Sequence, residues 1–407
     1  MPEAVIVSAT RTPIGRAFKG SLIEMRPDDL AALVVRAALA KVPNLNPTLV
    51  EDLIIGCAQP AGEQGYNLGR VVSLLSGLPD APGATVNRYC SSSLQTIRMA
   101  AHAIKAGEGD CFIAAGVECV SRFGLGKADG MENTMNPKFA DAQARMARYM
   151  SGEGGDWEPS GGLADVYITM LQTAENVAQH KSVSRHDQDE FAALSQQRAE
   201  EAQKSGHFDA EITPVTTPSG TVVGVDDCPR HGTTPAKLAG LKPVLQGQMG
   251  DKATVTAGNA CPLNDGAAAV IVMSDTKASE LGLKPLARIV STAVTALNPE
   301  IMGLGPIEAS RAALARAGLT VDDIDLVEIN EAFAAQVVPS ARELGVPVDR
   351  LNVNGGAIAL GHPFGQTGAR IMTTLIHNLQ ARDGRYGLET MCVGGGQGMA
   401  AVIERLD

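Results

Sequence analysis

An α/β protein made of two similar halves, the first interrupted by a long insertion, is what the residue pattern predicts. Two features carry that expectation. Short Val/Ile-rich runs alternate with small-residue segments of helical period, the pattern of strands packed between helices. The run Val50-Glu51-Asp52-Leu53-Ile54-Ile55 also returns as Val321 to Ile329, and Thr85-Val86-Asn87 returns as Leu351-Asn352-Val353-Asn354. Repetition in the same order, each time after a helical segment, marks a duplication.

Taken in order, the chain opens on a strand at Ala4–Ser8, passes a Gly/Arg-rich loop, and forms a helix from about Pro27 to Lys41. A strand at Asp52–Cys57 and a helix near Asn67–Ser76 follow. Next comes strand, turn, helix, strand: Ala84–Asn87 is β-like, Leu94, Ile97, Ala101 and Ile104 fall at helical spacing, and Asp110–Val117 is short and apolar. The second half repeats this with a helix over Glu308–Gly318, the strand ending at Ile329, and a helix carrying Ile371, Leu375 and Leu379. It closes with Thr390–Val393, a glycine-rich turn and Gly398–Ile403. The matching closing strand of the first half, Gly266–Met273, arrives only after residues from about 121 to 250. Those residues therefore read as an insertion, with one amphipathic helix from Asp187 to Lys204. The division expected is 1–120 plus 251–274 for the first half, 121–250 for the inserted loop domain, and 275–407 for the second half. An excursion of that length serves as a lid, a ligand-binding subdomain or an oligomerisation arm.

Composition narrows the function. The 407 residues are 44% hydrophobic, 19% charged and 3% aromatic, enough for more than one packed unit. A net charge of -11 argues against nucleic acid, so a polyanionic ligand must meet a local basic patch. Seven scattered cysteines without a C-x-x-C pair fit a reducing compartment, and no Cys/His cluster has metal-ligand spacing. Met1 leads straight into the strand-like Ala4–Val7, and no apolar run reaches membrane-spanning length; the expectation is a cytoplasmic protein.

Four stretches carry chemistry. Cys90 falls where a strand gives way to a helix, a corner whose free N–H groups and positive dipole favour thiolate; with a histidine beside it as well, a cysteine's pKa can fall to roughly 3.5–7.5. A buried cysteine acting as a small hydrophobe is the alternative there. Gly361-His362-Pro363 opens the corresponding helix of the second half, so Cys90 and His362 are expected to meet across a pseudo-two-fold axis. Cys392 stands at a strand end before Gly394, Gly395 and Gly396, whose bare N–H groups can approach a ligand. Asn330 follows the strand ending at Ile329 and offers an amide at the same sheet edge. The 394–398 glycines precede a strand, so they are no dinucleotide fingerprint.

Together, Asn87-Arg88-Tyr89-Cys90-Ser91-Ser92-Ser93, Asn330-Glu331-Ala332-Phe333, Gly361-His362-Pro363 through Gly368-Ala369-Arg370, and Cys392-Val393-Gly394-Gly395-Gly396 resemble the thiolase family. The resemblance implies a five-layer αβαβα arrangement of two βαβαβαββ halves. It implies that Cys90, with His362 as base, takes the acyl group of a 3-ketoacyl-CoA, and that Cys392 protonates the departing acetyl-CoA enolate. It places one oxyanion against His362 and a water fixed by Asn330, the other against the N–H groups of Cys90 and Gly394. Coenzyme A is implied as co-substrate, with no permanently bound cofactor. Arg230 resembles the partner of its nucleotide end, while Ala257, Cys261 and Leu263 lie in a loop similar to the one along the pantetheine arm. Family members commonly carry Ser where this chain has Cys261-Pro262. A homodimer or homotetramer, and association with a hydratase/dehydrogenase subunit, are implied as well. A decarboxylating ketoacyl synthase lacks a second catalytic cysteine, and a silent acyl-CoA-binding subunit need not keep all four groups.

Overall fold

The computed structural model describes residues 2–153 and 155–406. Its strands are β1 (Ala4–Arg11), β2 (Asp52–Gly56), β3 (Gly83–Val86), β4 (Cys111–Cys119), β5 (Asn264–Ser274), β6 (Ala287–Ala296), β7 (Leu326–Ile329), β8 (Tyr386–Val393) and β9 (Gln397–Arg405). They form one sheet in the order β7-β8-β9-β6-β1-β5-β4-β2-β3. Outward from the centre, the first half runs β1, β5, β4, β2, β3. The second runs β6, β9, β8, β7, followed by a parallel bridge from Val327 to Leu351. Strand directions repeat too: β4-β2-β3 and β8-β7 pair in parallel, and the β1-β5-β4 and β6-β9-β8 pairs are antiparallel. The two halves are thus the same fold.

Helices α1 (Pro27–Ala40) and α2 (Leu68–Leu75) cover the outer face of the first half. Pro27 sets the first turn of α1, and Asp28 and Asp29 complement its dipole. Between the halves lies α3 (Ser92–Ala106), ended by Gly107 in the left-handed region. The insertion contributes α4 (Ala140–Met150), α5 (Met170–His180) and α6 (Arg185–Lys204); the second half adds α7 (Gly305–Ala317), α8 (Ala334–Leu344) and α9 (Thr367–Ala381).

Strand alternation explains the layering. Val5 and Val7 of β1 face α1, whereas Ala4 and Ile6 face the centre. In β9, Met399, Ala401 and Ile403 face the centre, and Ala400 and Val402 face α7 and α8. The central core joins these residues to Leu94 and Ile97 of α3 and to Ile371 and Leu375 of α9. Outer helices, sheet, α3 with α9, sheet and outer helices therefore make five layers.

Among the described residues the sheet joins its halves only at Val5↔Arg288 and Ile6↔Ala287, so the helix layer holds them together. At its middle the starts of α3 and α9 touch: Ala369 N–H donates to Ser93 Oγ at 2.9 Å. A side chain at Gly368 would collide with the Leu94 backbone, and one at Gly116 with the Gly365 carbonyl. Only glycine allows this approach.

The insertion is anchored from both sides. Arg11, fully buried, forks onto Asp226 at 2.7 and 2.9 Å and reaches Glu211 at 2.6 Å. In the other half, α6 packs on α8 and α5 on the Pro299–Leu304 turn.

Candidate active site

Cys90 lies in the tight turn Tyr89–Ser91 between β3 and α3. Tyr89 takes a φ of 43°, a costly region for a non-glycine residue, of order 1–3 kcal/mol. Its neighbours enforce it: Tyr89 N–H donates to Asn87 Oδ1 at 2.8 Å, and the Ser92 hydroxyl donates to the Tyr89 carbonyl at 2.7 Å. The turn abuts both the start of α9 and the end of β8. That is where His362 and Cys392 are.

His362 is 1% exposed, its N–H donating to Asn264 Oδ1 at 2.9 Å. The ring's tautomer follows from its neighbour. The Thr367 hydroxyl donates to the Pro363 carbonyl at 2.8 Å, so it accepts the Nδ1 proton at 2.6 Å. Nε2 is left unprotonated, 3.3 Å from the Asn330 amide nitrogen. Asn330 is held at both ends of its peptide, by the Thr390 carbonyl and by Gln336 Nε2, and its Oδ1 has no partner among the described residues.

Cys392 is fully buried among Ala174 and Ala178 of α5 and Ala332 and Phe333 after β7. Cys261 joins the same group, its N–H donating to the Ala332 carbonyl at 3.1 Å. Burial raises the pKa of the Cys261 thiol, and the nearby Cys90 adds to the rise. Arg230, Ala257 and Leu263 lie apart, at the surface. Arg230 Nη1 reaches the Ala257 carbonyl at 3.3 Å, which ties the two segments together.

One expectation is corrected. The Cys90 thiol is not depressed: burial pushes it up to about 12, outweighing the N–H groups of Gly394 and Cys90 that point at the sulfur, and buried Glu118 adds to the rise. Burial also pushes His362 down to about 3, with Arg370 contributing. Both groups rest neutral. Cys392 is raised well above the ordinary thiol range, by burial first and then by Cys90 and Cys261, so it rests as a thiol.

Residues that sequence reasoning passed over hold the site in place. Glu118, fully buried, accepts from Ala58 N–H at 2.8 Å, Gln64 Nε2 at 2.7 Å and Gly365 N–H at 3.0 Å, tying the His362 loop to the first half. Glu331 does the same for the insertion, accepting from Ser195 of α6 at 2.6 Å and Asn352 at 2.8 Å. The signal for Glu118 was a lone carboxylate in an otherwise apolar strand, which burial tolerates only when it is bonded.

A cavity of about 510 Å³ opens over Cys90 and Gly394 and is walled by the insertion through Tyr167 and Met170. Among the described residues no cluster of His, Cys, Asp and Glu is arranged to hold a metal, and no helix is long and apolar enough to cross a membrane.

Fold and site define a duplicated α/β protein with a cavity over one thiol, Cys90, whose turn packs against the helix that follows His362 and the strand that carries a second thiol, Cys392, a set of groups suited to acyl transfer. The thiolase N-terminal domain matches residues 4–276 and the thiolase C-terminal domain residues 283–405. A protein of Escherichia coli (strain K12) named 3-oxoadipyl-CoA/3-oxo-5,6-dehydrosuberyl-CoA thiolase is 46% identical over the whole of both chains. A beta-ketoadipyl-CoA thiolase of Acinetobacter baylyi is 44% identical, again over both whole chains. A 3-ketoacyl-CoA thiolase of Bacillus subtilis is 44% identical over 99% of this chain and all of that one. The chain belongs to the thiolase family. It is an acyltransferase that cleaves 3-ketoacyl-CoA with coenzyme A.

Proposed function

We propose that thiolysis runs through an acyl group on Cys90. The observation that carries this is the turn of Cys90 seated against both the His362 helix and the Cys392 strand, with the Gly394 N–H aimed at its sulfur. His362 Nε2 takes the Cys90 proton and the thiolate adds to the C3 ketone. The C2–C3 bond breaks, Cys90 keeps the acyl group as a thioester, and Cys392 gives its proton to C2 of the leaving acetyl-CoA enolate. Incoming CoA returns a proton to Cys392, and its sulfur attacks the thioester. Cys90 leaves and recovers its proton from His362. The N–H groups of Cys90 and Gly394 hold one oxyanion; His362 and a water on Asn330 hold the other. Run backward with two acetyl-CoA molecules, the same steps condense them.

Coenzyme A is a co-substrate, and no cofactor stays bound. Its nucleotide end lies against the insertion at Arg230 and its arm passes Ala257, Cys261 and Leu263; the exposed guanidinium supports this. Residues 121–250 form the CoA-binding loop domain, set between a first half of 1–120 plus 251–274 and a second of 275–407. The enzyme works in the cytoplasm as a homodimer or homotetramer, with a hydratase/dehydrogenase as a partner. The half-exposed, uncharged edge strand β3 supports self-association.

The test is direct. Protein given a 3-ketoacyl-CoA without free CoA is expected to carry the acyl mass on the peptide of Cys90. Cys392→Ser is expected to keep that label and lose condensation. Label elsewhere, or unimpaired condensation in Cys392→Ser, removes the assigned roles.

A further inference from the structure

We propose that Asp129 makes the acyl pocket selective for 3-ketoacyl-CoA substrates whose chain ends without a carboxylate. This rests on the thiolysis reading and adds the substrate class to it. The 510 Å³ cavity over Cys90 is far larger than an acetyl group needs, and Met135, Val166, Ile168, Met170 and Phe364 give it an apolar wall. Among its lining residues Asp129 alone is charged. The exposed Lys127 is not a lining residue, although its side chain lies against Gly130, which is.

Asp129 is fixed in place. Its N–H donates to Gln59 Oε1 at 2.8 Å, and Gln59 Nε2 donates to its Oδ2 at 2.8 Å. Its carboxylate also meets the phenol of Tyr89, the residue just before Cys90. A negative charge, exposed to solvent, is thereby held on the cavity wall against the Tyr89 ring. An acyl chain ending in a carboxylate would bring a second negative charge to a wall whose lining residues offer no cation to pair with it. A hydrocarbon end meets the apolar wall and leaves nothing unpaired. Discrimination of this kind comes from the penalty imposed on the wrong substrate.

The test is a matched pair of six-carbon substrates, 3-oxohexanoyl-CoA and 3-oxoadipyl-CoA, which differ only in a methyl or carboxylate end. The wild-type protein is expected to show kcat/KM at least about tenfold higher for 3-oxohexanoyl-CoA. Asp129→Asn and Asp129→Ser, each checked for native circular dichroism, are expected to narrow that ratio at least about fivefold. A smaller wild-type preference, or a ratio that neither folded variant narrows, overturns the proposal. Cleavage of neither substrate overturns the thiolysis reading instead.

Discussion

Thr367 decides which nitrogen of His362 can act as a base, although it touches no reacting atom. Thr367→Val removes the acceptor for the Nδ1 proton, and the ring is then free to take the wrong tautomer. Loss of such a partner typically costs 10–100-fold, and here roughly that loss is expected in kcat with KM little changed. Thr367→Ser is expected to restore most of it. Steady-state kinetics of both variants decide the point; equal loss in KM would make the role one of binding. A second residue governs stability. Glu328 is fully buried, and burial raises its carboxyl from 4.5 to about 8 against the pull of Arg370. The folded chain therefore holds an extra proton between those values, and stability falls as pH rises from 4.5 toward 8. The span amounts to on the order of 5 kcal/mol. Glu328→Gln, which can still accept from Asn378, is expected to flatten this decline; denaturant midpoints at pH 5 and pH 8 check it, and parallel declines would refute it. Cys90, His362, Cys392 and Asn330 could be singled out in the sequence because each stands in or beside a turn with a recognisable motif. Thr367 could not, because its work depends on a ring folded back over its own helix start. The thiol's acidity was misjudged for a similar reason: the corner was visible, the depth of burial was not.

At the scale of elements, the site depends on how closely two helix starts approach. Gly116 in β4 lies against the Gly365 carbonyl, in the loop that carries His362. Gly116→Ala pushes that loop outward through backbone, which cannot rotate away. Overpacking of this kind costs about 1–3 kcal/mol. A lower melting temperature and a reduced kcat are both expected, read by calorimetry and by turnover; native values for both would mean that the seam yields. Helices α1, α2, α3, α6, α7 and α9 were readable from the sequence, whereas α8 was not identified. Nor were α4 and α5. In α5, Thr173 through Ala178 are all buried, so no polar face marks the period, and its cue was the capping box of Thr169 and Gln172.

For the whole molecule, the central core draws on both halves. Residues 283–407 alone would expose the inner faces of β9 and α9 to water. That fragment is expected to bind a hydrophobic dye and melt without a sharp transition, whereas the full chain unfolds cooperatively. A well-dispersed spectrum from the fragment would show that the halves are independent. The duplication itself was visible in recurring strands, while the sheet's order was not, because the partner of β1 lies beyond the insertion. Cys90 and His362 stand at equivalent corners of the two repeats. Two identical subunits related by symmetry would have to present the same residue at both corners. Joining the repeats in one polypeptide removes that obligation, so one corner is free to carry a sulfur while its twin carries an imidazole.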